Sequence, residues 1–225
     1  MRIPMKRGSQ YLTQIFKPQY KLFSAINHQK CWKCGILNGQ NSFFCASCGV
    51  LRNIFENENY FKMLNLDKDF KIDSAKLTQN YRQIQTLIHP DKFSQKSEEE
   101  KVLALEWSSL INKAYTTLSK SIDRGKYLLE LNGITISEDN SSIDQDFLFE
   151  MMDFNESVED SKTANELQKL ASSVSANIAD LNIKLEQSFA DYDMESAKET
   201  IIRLKYLVNI ECTIKEKLLQ LQLKT

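Results

Sequence analysis

The sequence predicts an all-α protein: a helical hairpin followed by a three-helix bundle, with a small cysteine-knuckle module ahead of both. Three observations predict it. Only six glycines and three prolines occur in 225 residues, few for turn-rich β structure. Apolar residues recur at spacings of three and four through the second and third thirds of the chain. Capping-box patterns, Ser97-Glu98-Glu99-Glu100 and Thr163 with Glu166, head two of these runs. No apolar run reaches the roughly 18 residues that a membrane span needs, so no membrane partner is expected.

The net charge of −1 conceals an asymmetry. Up to residue 55 there are eight Lys or Arg and no Asp or Glu; beyond it, 21 basic residues meet 30 acidic ones. Residues 1–30 are basic and rich in hydroxyl and amide side chains, with Tyr11, Leu12, Ile15, Phe16, Tyr20, Leu22 and Phe23 among them. That composition reads as a mitochondrial transit segment, which would deliver the protein to the matrix. The competing reading is a basic arm, disordered or bound to nucleic acid.

Residues 31–53 form the next unit. Cys31-Trp-Lys-Cys34-Gly35 and Cys45-Ala-Ser-Cys48-Gly49 are two knuckles ten residues apart. Two residues between thiols let both reach one ion, and the glycines permit φ > 0, aiming backbone amides at sulfur. Four thiolates with no open position suit a closed structural zinc, and a redox pair or an iron–sulfur ligand set are the alternatives. A unit this small has almost no core, so the metal supplies most of its folding free energy. Lys33 and Arg52 are its only basic residues, too thin a footprint for nucleic acid. The fifth cysteine, Cys212, falls on an apolar helix stripe and reads as buried. An odd count in paired spacing points to a reducing compartment.

Residues 58–135 read as the hairpin. Leu77, Tyr81, Ile84 and Ile88 make one stripe, and Pro90 stops that helix near His89. Ser97 and Glu100 start the return helix by satisfying each other's amides, and its stripe is Leu103, Trp107, Leu110, Ala114 and Leu118. A polar stretch, Ser137 to Ser142, is expected as a hinge before a separate bundle over 144–223. Its first helix is expected from Asp144 to about Phe154, with an acidic turn over Asn155–Ser161. A long helix then carries Leu167, Leu170, Val174, Ile178, Leu181 and Leu185. An antiparallel partner carries Ala197, Ile201, Leu204, Val208, Cys212, Leu219 and Leu223.

His89-Pro90-Asp91 between two such helices, with Asn59–Leu66 before it and Asn112–Leu118 and Asp123–Tyr127 after it, resembles a J domain. The resemblance implies a co-chaperone, not an enzyme, that stimulates ATP hydrolysis by a DnaK-type chaperone. It places His89, Pro90, Asp91, Tyr81, Arg82 and Lys92 on the chaperone-binding face. Bottom-up, Tyr81 reads equally as core, and Arg82 and Lys92 as solvated charge. The second helix is less basic than usual for the family, with Lys76 and Arg82 alone, which implies weak docking unless a client is bound. His89 has only His28 for company, so a histidine-based catalytic site is not expected.

A narrower likeness follows. The Lys92-Phe93 tail, Lys126–Gly133, Asp146–Met152 and Leu204–Leu207 are similar to the HscB (Jac-type) co-chaperones of iron–sulfur cluster biogenesis. Eukaryotic members of that family often add a tetracysteine module. The likeness implies that an iron–sulfur scaffold protein binds Leu148, Phe149, Met152 and Tyr206, with Asp153 and Glu156 as an acidic rim. From the residues themselves, six large apolar side chains within 147–154 exceed what one helix face can bury, so some should be exposed as a partner site. Two other readings stay open: a J protein for a different client pathway, and a metal-dependent redox protein built on the cysteines.

Overall fold

The computed structural model describes residues 29–39, 42–54, 59–136 and 144–223. Among these are seven α-helices, one 3-10 turn and a two-stranded ribbon. Most of the expected transit segment, and the expected hinge at 137–142, lie outside the described residues. Gln29 and Lys30, the last two residues of that segment, instead form strand β1, paired antiparallel with β2 (Leu37–Asn38).

Helix α1 (Tyr60–Met63) is capped by Asn59, whose side chain accepts from the Lys62 amide. Helix α2 (Ser74–Ile88) is capped by Asp73, which accepts from the Ala75 and Lys76 amides. It stops where Pro90 dictates, and Pro90–Phe93 forms the 3-10 turn at the hairpin tip. Helix α3 (Glu98–Ser119) returns antiparallel. Ser97 accepts from the Glu100 amide as expected, but the Glu100 side chain is itself buried and makes no return bond to the cap. Leu77, Ile84 and Ile88 face Trp107, Ala114 and Leu118 in the core, joined by Ala104 and Ile111 from the side of the α3 stripe that sequence periodicity passed over.

Helix α4 (Ser121–Glu130) does not stand out in the sequence as a separate element. It crosses to the far end of the bundle, where a Cβ on Gly125 would come within 2.9 Å of Ile201 Cδ1. The bundle is therefore not a separate body. Leu185, Ala197, Ile201 and Leu204 share one continuous core with α1–α4. Phe70, in the α1–α2 loop, stacks on Phe189, and Arg124 lies over Phe70 while donating to the carbonyls of Phe70 and Leu118. Lys71 closes the seam with Glu186 at 2.7 Å.

Helix α5 (Gln145–Asp160) runs six residues past the expected end at Phe154. Phe147, Met151, Phe154 and Val158 continue one stripe at helical spacing, and Val158 is buried. The acids of 155–161 are the wet side of this helix rather than a turn. Lys217 donates to the carbonyls of Val158 and Glu159 at its C-terminal end, where the helix dipole favours a cation. Helices α6 (Ala164–Ala190) and α7 (Met194–Gln222) form the antiparallel pair. Thr163 and Glu166 make the full reciprocal box at the head of α6.

The α7 stripe departs from the expected one after Leu204. Burial follows Leu207, Ile210 and Ile214, whereas Cys212, Leu219 and Leu223 are exposed. From Leu204, steps of three or four both reach an apolar residue. α5 and α6, seated on the Leu207 side, select the first branch. Cys212 is thus a surface thiol, contrary to the sequence reading.

Candidate functional site

Three groups of candidate residues occupy three places. The four cysteines converge at the N-terminal end. Cys31 Sγ lies 3.7 Å from Cys48 Sγ and Cys34 Sγ 3.6 Å from Cys45 Sγ, and all four sulfurs fall within 4.8 Å of one another. A tetrahedral ion with bonds of about 2.3 Å spaces its thiolates about 3.8 Å apart, so the set fits a tetrathiolate metal site. Gly35 and Gly49 take φ of 73° and 70°, as their knuckles require. Their amides close the turns onto the carbonyls of Cys31 and Cys45, not onto sulfur as expected. The amides that favour thiolate come from Cys48 and Ser47 at Cys45, and from Cys34 and Lys33 at Cys31.

Crowding splits these thiols. The Cys48 amide leads in pulling Cys45 down to about 6, with the Ser47 amide and Asn38 adding to it. At Cys48 the Val50 amide pulls the same way, but burial and the three neighbouring thiols outweigh it and push that group up to about 12. Four thiolates at this spacing require a cation among them.

The module is built into the hairpin. Leu51 is fully buried in the α1–α4 core, and Trp107 of α3 donates its indole N–H to Arg52 O at 2.7 Å. Trp32 of the first knuckle donates to Leu51 O, also at 2.7 Å. Phe43 meets Trp107 edge-on at 5.0 Å between ring centres. The Arg52 guanidinium is buried and donates to the carbonyls of Gly39 and Ser42. Arg52 therefore holds the loop between the knuckles and is not part of a basic surface.

The tip holds the second group. The His89 and Asp91 side chains are 53% and 90% exposed, and Pro90 opens the 3-10 turn. The Asp91 amide donates to His89 Nδ1 at 3.4 Å, and the Lys92 amide to His89 O at 2.9 Å. Phe93 is buried and anchors the turn from behind. Arg82 and Lys92 are exposed. Tyr81 is already engaged: its ring stacks on Tyr115 at 4.2 Å, and its hydroxyl donates to Asn112 Oδ1 at 2.8 Å. Gln85 donates to the same oxygen and to Ser108 O, and Ser108 donates to Gln85 in return. This polar zipper clamps α2 to α3 below the tip; Gln85, Ser108 and Asn112 carry no motif that would flag them in sequence.

The third group lies on α5 and α7. Phe149 and Met152 are 62% and 56% exposed, Leu148 is half-buried, and Asp153 and Glu156 are exposed on the same helix. Tyr206 is half-buried and meets Phe147 edge-on at 5.9 Å. Arg203 lies over the Phe147 ring and pairs with Glu199, fixing that ring from the other side. Phe147 and Met151 are core, so the six apolar residues divide between interior and surface.

Comparison with known proteins places these features in order along the chain. A model of the DnaJ domain matches residues 59–127, and a model of the HSCB C-terminal oligomerisation domain matches residues 143–215. The human iron–sulfur cluster co-chaperone protein HscB is 36% identical over 195 residues, 85% of this chain and 83% of the human one. An Arabidopsis thaliana homologue is 27% identical over 186 residues, 83% of this chain and 73% of the plant one. The crystal structure of the human protein superposes with a TM-score of 0.81, covering 84% of this chain and 98% of that one.

Proposed function

This chain belongs to the HscB family of iron–sulfur cluster co-chaperones, and from that premise we propose that it brings a cluster-loaded scaffold protein to a DnaK-type chaperone and triggers that chaperone's ATPase. The carrying observation is the exposed His89–Asp91 tip, held out on a clamped hairpin whose core continues into the bundle that bears Phe149 and Met152. Asp91 offers a carboxylate to a cationic group of the chaperone. Pro90 and the buried Phe93 fix the turn beforehand, which lowers the ordering cost of binding. Arg82 and Lys92 add charge beside it, and Tyr81 serves by bracing α2 against α3. The protein is no enzyme in this reading; it changes the rate of another protein's chemistry.

Leu148, Phe149 and Met152 hold the scaffold, Tyr206 backs them, and Asp153 and Glu156 rim the contact. Exposed apolar side chains within one turn of each other support a partner site. The four cysteines hold a structural zinc, which supplies folding free energy to the module and no step of the ATPase cycle. The basic, acid-free start of the chain supports a mitochondrial matrix address.

The test is steady-state ATP hydrolysis by a matrix DnaK-type chaperone, with this protein and the scaffold added separately and together. The expected result is synergy, since α2 carries only Lys76 and Arg82 as basic residues. Stimulation indifferent to the scaffold would favour a J protein of another client pathway.

A further inference from the structure

A groove of about 350 Å³ opens between the cysteine module and the hairpin, where the chaperone-docking reading assigns nothing. Phe43 and Trp107 line its apolar side, and Asn80, Gln83 and Leu87 of α2 and Lys62 of α1 line the rest. Leu87 is 51% exposed, a large aliphatic side chain left in water at the rim. Asn80 donates to the carbonyls of Leu64 and Asn65, which orients its amide and leaves Oδ1 as an open acceptor. Gln83 is exposed and has no side-chain hydrogen bond among the described residues.

An apolar recess flanked by side-chain amides suits an extended peptide, whose backbone takes the amides while an aliphatic side chain enters the recess. The groove is continuous with the docking face. Gln83 follows Arg82, and Leu87 stands two residues before His89 on the same helix. The scaffold-facing residues are instead on α5, which lies against α6 and α7.

We propose that this groove is a second contact for the ATPase chaperone. An extended, aliphatic-bearing segment of the chaperone lies between the cysteine module and α2 while His89–Asp91 engages the ATPase lobe. The inference rests on the chaperone reading given above and deepens it. It also gives the metal module a part in partner binding, because Phe43 forms a wall of the groove and is held in place by the Arg52 and Trp107 contacts.

The experiment uses the full chain with Leu87→Asp and Gln83→Ala together, both exposed positions where folding should be unaffected. The expected result is a rise of about tenfold in the concentration that half-saturates ATPase stimulation, with the maximum unchanged. Leu87→Met should restore the wild-type value. In parallel, the Leu87 methyl and Gln83 amide signals of the wild-type protein should move in NMR spectra when ATP-loaded chaperone is added. Unchanged half-saturation, or groove signals that stay still while those of His89–Asp91 move, would overturn the proposal. So would groove signals that move with scaffold alone, since the occupant would then be the scaffold. Full stimulation by Asp91→Asn would instead overturn the chaperone reading beneath it.

Discussion

At the hairpin tip, Pro90 and the buried Phe93 hold His89 and Asp91 out in water; on α5, six large apolar residues compete for one buried face, and Phe149 and Met152 are left outside. The tip is exposed because its shape is imposed from behind, by a zipper of Tyr81, Gln85, Ser108 and Asn112 and by a core reaching into the bundle. The α5 surface is exposed through surplus. The difference teaches where each should be vulnerable: the tip to loss of one charge, the patch only to loss of several apolar contacts.

The largest expected effect is at the tip. Asp91→Asn should abolish ATPase stimulation while leaving thermal unfolding and scaffold affinity unchanged, because Asp91 is almost fully exposed. Retained stimulation would break the comparison at its stronger end. On α5, Leu148→Ala with Phe149→Ala should weaken scaffold binding by about 2–3 kcal/mol in calorimetry, while stimulation without scaffold persists. An unaltered affinity would reject the patch.

Effects on the support come next. Chelating the metal, or replacing Cys45 by serine, should release Leu51 and Arg52 from the hairpin. A cost of roughly 2 kcal/mol is expected, a fall of about 4–8 °C in Tm, with a red shift in tryptophan emission as Trp32 and Trp107 lose their carbonyl partners. Emission that ignores the chelator would mean that the module stands apart from the hairpin. Gly125→Ala should cost about 1–3 kcal/mol in denaturant unfolding, since its methyl meets Ile201. A variant as stable as wild type would show that the shared core yields at no cost.

The smallest effect concerns the head of α6. The amides of Lys162 and Thr163 hold the Glu166 carboxyl below its usual range. A depressed folded value means that the box contributes fully above the unfolded carboxylate value, near pH 4.3, and loses its contribution as pH falls through the folded value. Glu166→Gln should therefore lower Tm slightly at pH 7, and the gap from wild type should close in acid. A gap that widened there would reverse the assignment.

Much of this was legible in the sequence because it depends on local rules. Pro90 ends α2 wherever it stands, Asp73 and Thr163 cap through their own side chains, and paired cysteines at knuckle spacing converge with little help. The errors fell where two local answers were equally good. At Leu204 both branches of the α7 stripe were apolar, and at Phe154 the acids read as well for a turn as for a wet helix face. Tyr81 was ambiguous for the same cause, and its stacking on Tyr115 decided it.

The linear chain determined which elements form, where they start, and which residues carry charge or thiol at the two working ends. Only tertiary packing decided that the module, hairpin and bundle make one body, that Arg52 is interior, and that Cys212 faces water. The physical reason is that capping and turn energies act over a few residues. Burial is set by whichever surface arrives opposite, and residues such as Leu51, Trp107, Gly125 and Ile201 meet across long stretches of chain that no local pattern encodes.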